Sequence, residues 1–254
     1  MGQKEDEARK VFGRRAALYT RSASHADPQV LADLVRMAAP RPDQRALDVA
    51  TGTGHTALAL APLVREVVGT DLTPEMLAEA GKLRKQRGAA NYPLVRCDAH
   101  ALPFASSSFD LVSCRRAAHH FSDVKRALAE MCRVLRTGGH LILDDRSVPD
   151  NAAADRLMNA MDRLHDPSHV REYRAGEWRA MVEGAGLKVQ ETKRYVRHRP
   201  MSALTEGVSP ADAHRIRELL EGMDEDIREL FDLRDLDGEF HHNHWFVMLS
   251  AVKP

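Results

Sequence analysis

Between residues 45 and 144 the chain alternates between two hydrophobic rhythms. Short runs of consecutive apolar residues give way to longer stretches whose apolar positions recur every three to four residues. The short runs predict strands at 45–49, 66–70, 92–96, 109–114 and 139–144, and the stretches between them predict helices at 55–63, 74–86 and 122–135. Strands apolar on both faces and joined by helical crossovers require a mainly parallel sheet covered on both sides. Thr73 is the expected cap of the 74–86 helix, with Pro74 in its first turn, and Thr137-Gly138-Gly139 is the expected stop of the 122–135 helix. Ahead of this core, residues 4–19 predict a charged amphipathic helix, and Asp27 and Pro28 open a second one, Gln29 to Met37. After it come helices at 150–165 and 176–184, a strand at 187–197 and an apolar last strand from Trp245 to Val252. The run from Pro200 to Asp237 stands apart, since its helix-forming part, Ala211 to Leu233, is thick with Arg, Glu and Asp. It predicts either a cover over a site or a solvated outer helix.

Candidate chemistry gathers at the first two strand ends. The first strand carries Asp48 and runs into Ala50-Thr51-Gly52-Thr53-Gly54, and the second stops on Asp71. That is the βαβ arrangement in which strand ends and a helix N-terminus cradle an adenosine ligand. Taken alone, Gly52-x-Gly54-x-x-Ala57 satisfies a dinucleotide fingerprint. Asp48 decides between the ligands, because its carboxylate would meet a dinucleotide's pyrophosphate as a like charge at low dielectric. S-adenosylmethionine brings a sulfonium and an ammonium there instead, so charge favours the methyl donor over a nicotinamide cofactor. Asp71 is then the acceptor for the ribose hydroxyls, Gly52 and Gly54 allow close approach, and Leu72 and Met76 form apolar walls or simply core.

Further motifs carry a resemblance. Arg96-Cys97-Asp98-Ala99 with Leu102-Pro103-Phe104, Phe109-Asp110-Leu111-Val112, Ala117-Ala118-His119-His120-Phe121 and Arg133-Val134-Leu135-Arg136-Thr137-Gly138-Gly139 join the first two motifs. With them the chain resembles the class I S-adenosylmethionine-dependent methyltransferases of the methyltransferase-11 type, near the ubiquinone and menaquinone biosynthesis enzymes. The resemblance is good over roughly residues 10 to 190 and loose beyond. Ala50 departs from it, standing where many members have glycine. The resemblance implies a Rossmann-like α/β fold with a seven-stranded, mainly parallel sheet, an inserted antiparallel last strand and helical lid segments. It implies that Ala50 and Thr51 belong to the cofactor turn, that Asp98 accepts from the adenine amine beside the Ala99 backbone, and that Arg115 and Arg116 give backbone contacts to the methionine portion. Either arginine could also pair with a substrate anion. Tyr19 lies in the helical segment that similar enzymes fold over the cofactor, with ordinary packing as the alternative.

His119 and His120 follow the fourth strand at the carboxyl edge of the sheet, where ligands bind. One of them is a candidate base for an acceptor that starts protonated, although adjacent side chains on a regular element cannot both face one substrate. His241, His242 and His244 lack carboxylate or cysteine company at metal-ligand spacing, so no metal is expected.

Composition narrows the rest. The 254 residues, 43% hydrophobic, suffice for one domain over 1–254, with an N-terminal helical cover at 1–39, a cofactor-binding half at 40–148 and a substrate-side half at 149–254 holding the lid segment 200–237. Thirty-seven basic and thirty-seven acidic residues cancel, giving no electrostatic reason to expect nucleic acid. Cys97, Cys114 and Cys132 lack CxxC spacing and suit reduced thiols in the cytoplasm. Neither a signal peptide nor a membrane span is expected. The expected partner is a small-molecule methyl acceptor, with carbon or oxygen methylation favoured and a homodimer compatible with the chain. A nicotinamide-dependent oxidoreductase and a cofactor-binding protein without transferase activity stay open as alternatives.

Overall fold

The computed structural model describes residues 3–22 and 24–254. Met1, Gly2 and Ala23, which belong to the expected N-terminal cover, lie outside the described residues. The parallel core consists of β1 (Arg45–Val49), β2 (Glu66–Asp71), β3 (Leu94–Arg96), β4 (Phe109–Arg115) and β5 (Leu135–Val148). Beyond it lie β6 (Tyr173–Arg174), β7 (Lys188–Pro200), β8 (Arg234–Leu236) and β9 (Glu239–Val252). The sheet runs β3-β2-β1-β4-β5-β9-β7, with β6 beside β5 and β8 beside β9. Strand β9 pairs antiparallel with both β5 and β7. The expected seven strands with an inserted antiparallel last strand are all present, and two very short strands are added to them.

Alternation along the strands sorts the core into two layers. Leu47 and Val49 face a cluster that includes Leu128 and Met131 of α5 (Val124–Val134) and Trp178 and Val182 of α7 (Ala175–Gly184). Ala46 faces the other way, toward Val30 and Leu34 of α2 (Pro28–Ala38) and Leu60 of α3 (His55–Leu60). Strands β1, β2 and β4 are thus buried on both faces, which is why their sequences are runs of apolar residues and not alternations. Helix α4 (Pro74–Gln86) has the predicted bounds, and α2 is capped by Asp27, whose carboxylate accepts from Gln29 N and Val30 N. Helix α1 (Gln3–Arg21) packs on α4. All three cysteines are free. No helix among the described residues is long and apolar enough to cross a membrane.

One expectation fails here. Helix α5 ends at Val134 and passes straight into β5, so Thr137-Gly138-Gly139 does not stop a helix. Phe109 pairs with Leu135 but Leu111 pairs with His140, and residues 136–139 loop out as a bulge. Gly138 has a φ of 75°, and a Cβ on Gly139 would lie 2.8 Å from the Arg136 carbonyl. The segment from Pro200 to Asp237, expected to be a cover or a solvated outer helix, is mainly helical. Its helices α8 (Ser202–Thr205), α9 (Pro210–Glu221) and α10 (Glu225–Leu230) turn charged faces outward, while Ile216, Leu220, Ile227 and Phe231 pack on Met158 and Met161 of α6 (Ala152–His165). The excursion has an apolar core of its own. Only Ala203, Glu206 and Gly207 from it reach the cavities described next.

Candidate functional site

A cavity opens at the carboxyl ends of β1, β2 and β4, roofed by α1, with about 1040 Å³ of empty space when its mouth is included. The turn after β1 contributes Ala50, Thr51 and Gly52, and Asp48 lies beneath it; β2 and the start of α4 contribute Asp71, Leu72 and Met76. Asp98, Ala99 and Arg115 complete the floor, and Tyr19 comes down from α1. Of the cofactor-binding candidates, Gly54 alone is absent from the lining. It sits at the start of α3, where a Cβ would lie 2.8 Å from the Tyr92 hydroxyl, so its close approach is to the protein's own buried tyrosine.

The charges in this cavity are held by specific donors. Asp48 is 1% exposed and accepts from the hydroxyls of Thr51 and Ser113, each at 2.6 Å. Burial outweighs these bonds and pushes its carboxyl up to about 6. Asp71 accepts from Gly52 N and Thr73 N, both at 2.9 Å, one on each oxygen. The Thr73 hydroxyl, expected to cap α4, makes no capping bond to it. Each Asp71 oxygen keeps a second lone pair. Asp98 accepts from the backbone and the ring of His100, a neighbour that sequence reasoning passed over. The Arg115 guanidinium donates to Thr56 Oγ1 and to the His25 carbonyl, tying the cavity wall together. Ala50 has a φ of 53°, in the left-handed region that glycine enters freely and alanine does not.

A second cavity adjoins the first, and Tyr19, His25, Arg116 and His120 line both. His119 and His120 lie on a 3-10 turn, Ala118–His120, that sets their ring centroids 4.0 Å apart with the planes tilted by 44°. Both residues line the second cavity. His119 Nδ1 is hydrogen-bonded to Asp145, which also accepts from Ala118 N. Burial and the nearby Arg146 hold the His119 imidazole well below its ordinary value, so it donates Nδ1–H while neutral. His120 bonds to Ser168 Oγ at 3.1 Å and stands edge-on to Phe12. Sequence reasoning missed Arg146, Asp162, His169 and Arg199 on this wall. The signal for one of them was present: Asp144-Asp145-Arg146 is a charged triplet closing an apolar strand.

The histidines of β9 also gain company that spacing concealed. His244 Nε2 lies 3.5 Å from Glu172 Oε1, and Asp162, Glu172 and His244 approach closely enough to share an ion. Arg146 Nη1 already lies 2.7 Å from Asp162 Oδ1 and 3.3 Å from Glu172 Oε1, and a guanidinium there opposes a second cation. Burial beside Asp162 raises Glu172 well above the usual carboxyl range, whereas Asp162, despite its own burial, is held low by Arg146.

Comparison with known proteins follows the same geometry. Residues 47–143 match the family model described as a methyltransferase domain. The uncharacterized methyltransferase YcgJ of Bacillus subtilis is 37% identical over 207 residues, spanning 80% of this chain and 81% of that one. The chain belongs to this methyltransferase family. The solved structure of YcgJ superposes with a TM-score of 0.83 at 32% identity, covering 88% of this chain and 97% of that one. A solved structure from Bacillus halodurans gives 0.85 at 32%, covering 88% and 98%. The demethylmenaquinone methyltransferase of Deinococcus radiodurans is 41% identical over 128 residues, which is 48% of this chain and about half (49%) of that enzyme.

Proposed function

We propose that this protein transfers a methyl group from S-adenosylmethionine to a small organic acceptor at carbon or oxygen. The observation that carries the reading is Asp48, a carboxylate buried beneath the glycine turn where a dinucleotide would bring its pyrophosphate. A cationic donor end suits it and an anionic one does not. The remaining residues fit the same group. Asp71 has lone pairs for the ribose hydroxyls, nothing lies within 4 Å of where a Gly52 Cβ would be, and Leu72 and Met76 offer apolar walls to a purine. Asp98 would receive the adenine amine beside the Ala99 backbone. Ala50, Thr51 and the Arg115 backbone would hold the methionine portion, and Tyr19 would close over it.

The bound cofactor would supply an electrophilic methyl group. The chain's own work is then to exclude water, align the acceptor and take its proton. His119 suits the last of these, since Asp145 fixes its Nδ1–H and leaves Nε2 to receive a proton from the acceptor. His120, at the boundary of the two cavities, shapes the acceptor's path.

Calorimetry with S-adenosylhomocysteine and with NAD separates this reading from an oxidoreductase. Binding of the former and not the latter is expected; the reverse preference overturns the proposal. Tritium from labelled donor should enter a low-mass product of a fractionated cell extract, and binding without any transfer would leave a cofactor-binding protein in its place.

A further inference from the structure

The second cavity draws Arg15 from α1, Arg116 from the turn after β4, Arg146 from β5 and Arg199 from β7. Two of these are matched. Arg146 bonds to Asp162, and Arg15 stands 3.7 Å from Asp166. The other two keep guanidinium donors without hydrogen-bond acceptors, although Arg116 faces Asp144 much as Arg15 faces Asp166. The Arg116 side chain is 5% exposed, yet only its Nη1 has a hydrogen-bond acceptor, the Ser24 carbonyl at 2.8 Å. Its Nε and Nη2 are buried without acceptors; Asp144 lies 3.8 Å from Nε, and the Phe246 ring lies 4.8 Å from the guanidinium. Arg199 makes no hydrogen bond or ion pair among the described residues. Burial, with the charges of Arg146 and Arg116, pulls its guanidinium down to about 10. Asp162 opposes this only in part and also serves Arg146, Asp166 faces Arg15, and Glu206 is exposed.

Buried donors without acceptors are costly, and guanidinium forks match oxyanions in shape and charge. We propose that the second cavity binds the methyl acceptor by a carboxylate or phosphate group held by Arg116 and Arg199. This rests on the methyltransferase reading and narrows its substrate to an anionic small molecule. Arg116 and His120 each line both cavities, so an acceptor anchored by its anion lies along the boundary across which the methyl group must pass. The ring of Phe246 beside Arg116 provides an apolar face for the body of the acceptor.

The test titrates benzoate and phenyl phosphate into the protein, alone and loaded with S-adenosylhomocysteine, with benzyl alcohol as the neutral control. At least one anion should bind where the alcohol does not, and Arg199→Gln should weaken it by about tenfold or more, the effect of one charge-assisted hydrogen bond, without changing S-adenosylhomocysteine affinity. Arg116→Gln should act alike, and the Arg199 variant stands alone if the buried Arg116 one does not fold. Tritiated product should be retained on an anion exchanger. The proposal is overturned if neither anion binds, if the alcohol binds as well, if Arg199→Gln changes nothing or if the labelled product is neutral. Failure of S-adenosylhomocysteine to bind the wild type would sink the methyltransferase reading separately, with the anion titration of the unloaded protein still readable.

Discussion

Replacing Asp48 by asparagine separates the carboxylate's effect on the fold from its effect on a ligand, and the two effects have opposite signs. In the native protein burial raises this carboxyl from 3.8 to about 6, against the pull of the Ser113 and Thr51 hydroxyls. A carboxyl raised by folding is most compatible with the native state when protonated. Its contribution to stability therefore declines as pH rises from about 4 to about 6, and the full cost is present above that. At about 1.4 kcal/mol per pH unit, the cost at neutral pH is about 3 kcal/mol. Asparagine imitates the protonated form and can still bond to both hydroxyls. Asp48→Asn should therefore be more stable than wild type by up to about 3 kcal/mol at pH 7, with the difference vanishing near pH 3.5. Asp144 and Asp145 are raised to about 6 as well, so the quantity to compare is wild type minus variant, measured by urea denaturation across pH. Ligand affinity should move the other way. Ionisation of Asp48 goes from about a tenth at pH 5 to about nine-tenths at pH 7, so S-adenosylhomocysteine should bind wild type about tenfold tighter at the higher pH. The variant should lose most of that gain. A variant less stable than wild type at pH 7, with unaltered affinity and an unaltered pH dependence, would refute the reasoning and leave Asp48 as a structural acceptor.

Four further outcomes are expected. Asp71→Ala should weaken S-adenosylhomocysteine binding in calorimetry by about 1.5–3 kcal/mol, the range for a hydrogen bond to a charged group, while the protein stays folded by circular dichroism. His119→Asn should lower kcat by about 10²–10⁴-fold with little change in cofactor affinity. The wild-type acid limb should lie below the ordinary histidine range because burial lowers this imidazole, and the variant should lack it. Ala50→Gly should raise stability by about 1 kcal/mol in thermal melts by relieving left-handed strain. S-adenosylhomocysteine should slow tryptic cleavage of α1, whose Phe12 and Tyr19 line the first cavity, and leave cleavage within α9 and α10 unchanged, since neither helix reaches a cavity.

What the sequence revealed and what it hid divide along locality. Asp27-Pro28 and Thr73-Pro74 announce helix starts through backbone constraints that act within a few residues, and both helices begin there. The turn from Ala50 to Gly54 was legible for the same reason, as was Asp71 at a strand end. Gly138-Gly139 misled because a glycine pair after a helix has two uses, and only the distant pairing of Leu135 with Phe109 selects the bulge. The partner that orients His119 is Asp145, 26 residues away on another strand, which no periodicity reports. Arg199 escaped because the strand expected to end at 197 runs on to Pro200, kept extended by its pairing with His241 to His244. Glu172 and Asp162 reach His244 only through the packing of α6 and β9, so metal-ligand spacing along the chain could not show them.

The placement of β9 between β5 and β7 bears on how the protein is born. Strand β7 pairs with β9 and has no other neighbour along the sheet, and the flank of β5 beyond β4 is filled mainly by the same strand. Synthesis makes β9 after every other strand of this sheet. While the ribosome is still translating residues 239–252, β7 therefore has nowhere to dock, and β5 offers an open row of amides and carbonyls to whatever passes. Arg199 of β7 takes its place on the second cavity's wall only when the final strand arrives. Assembly of the second cavity's wall thus waits on translation of the last strand.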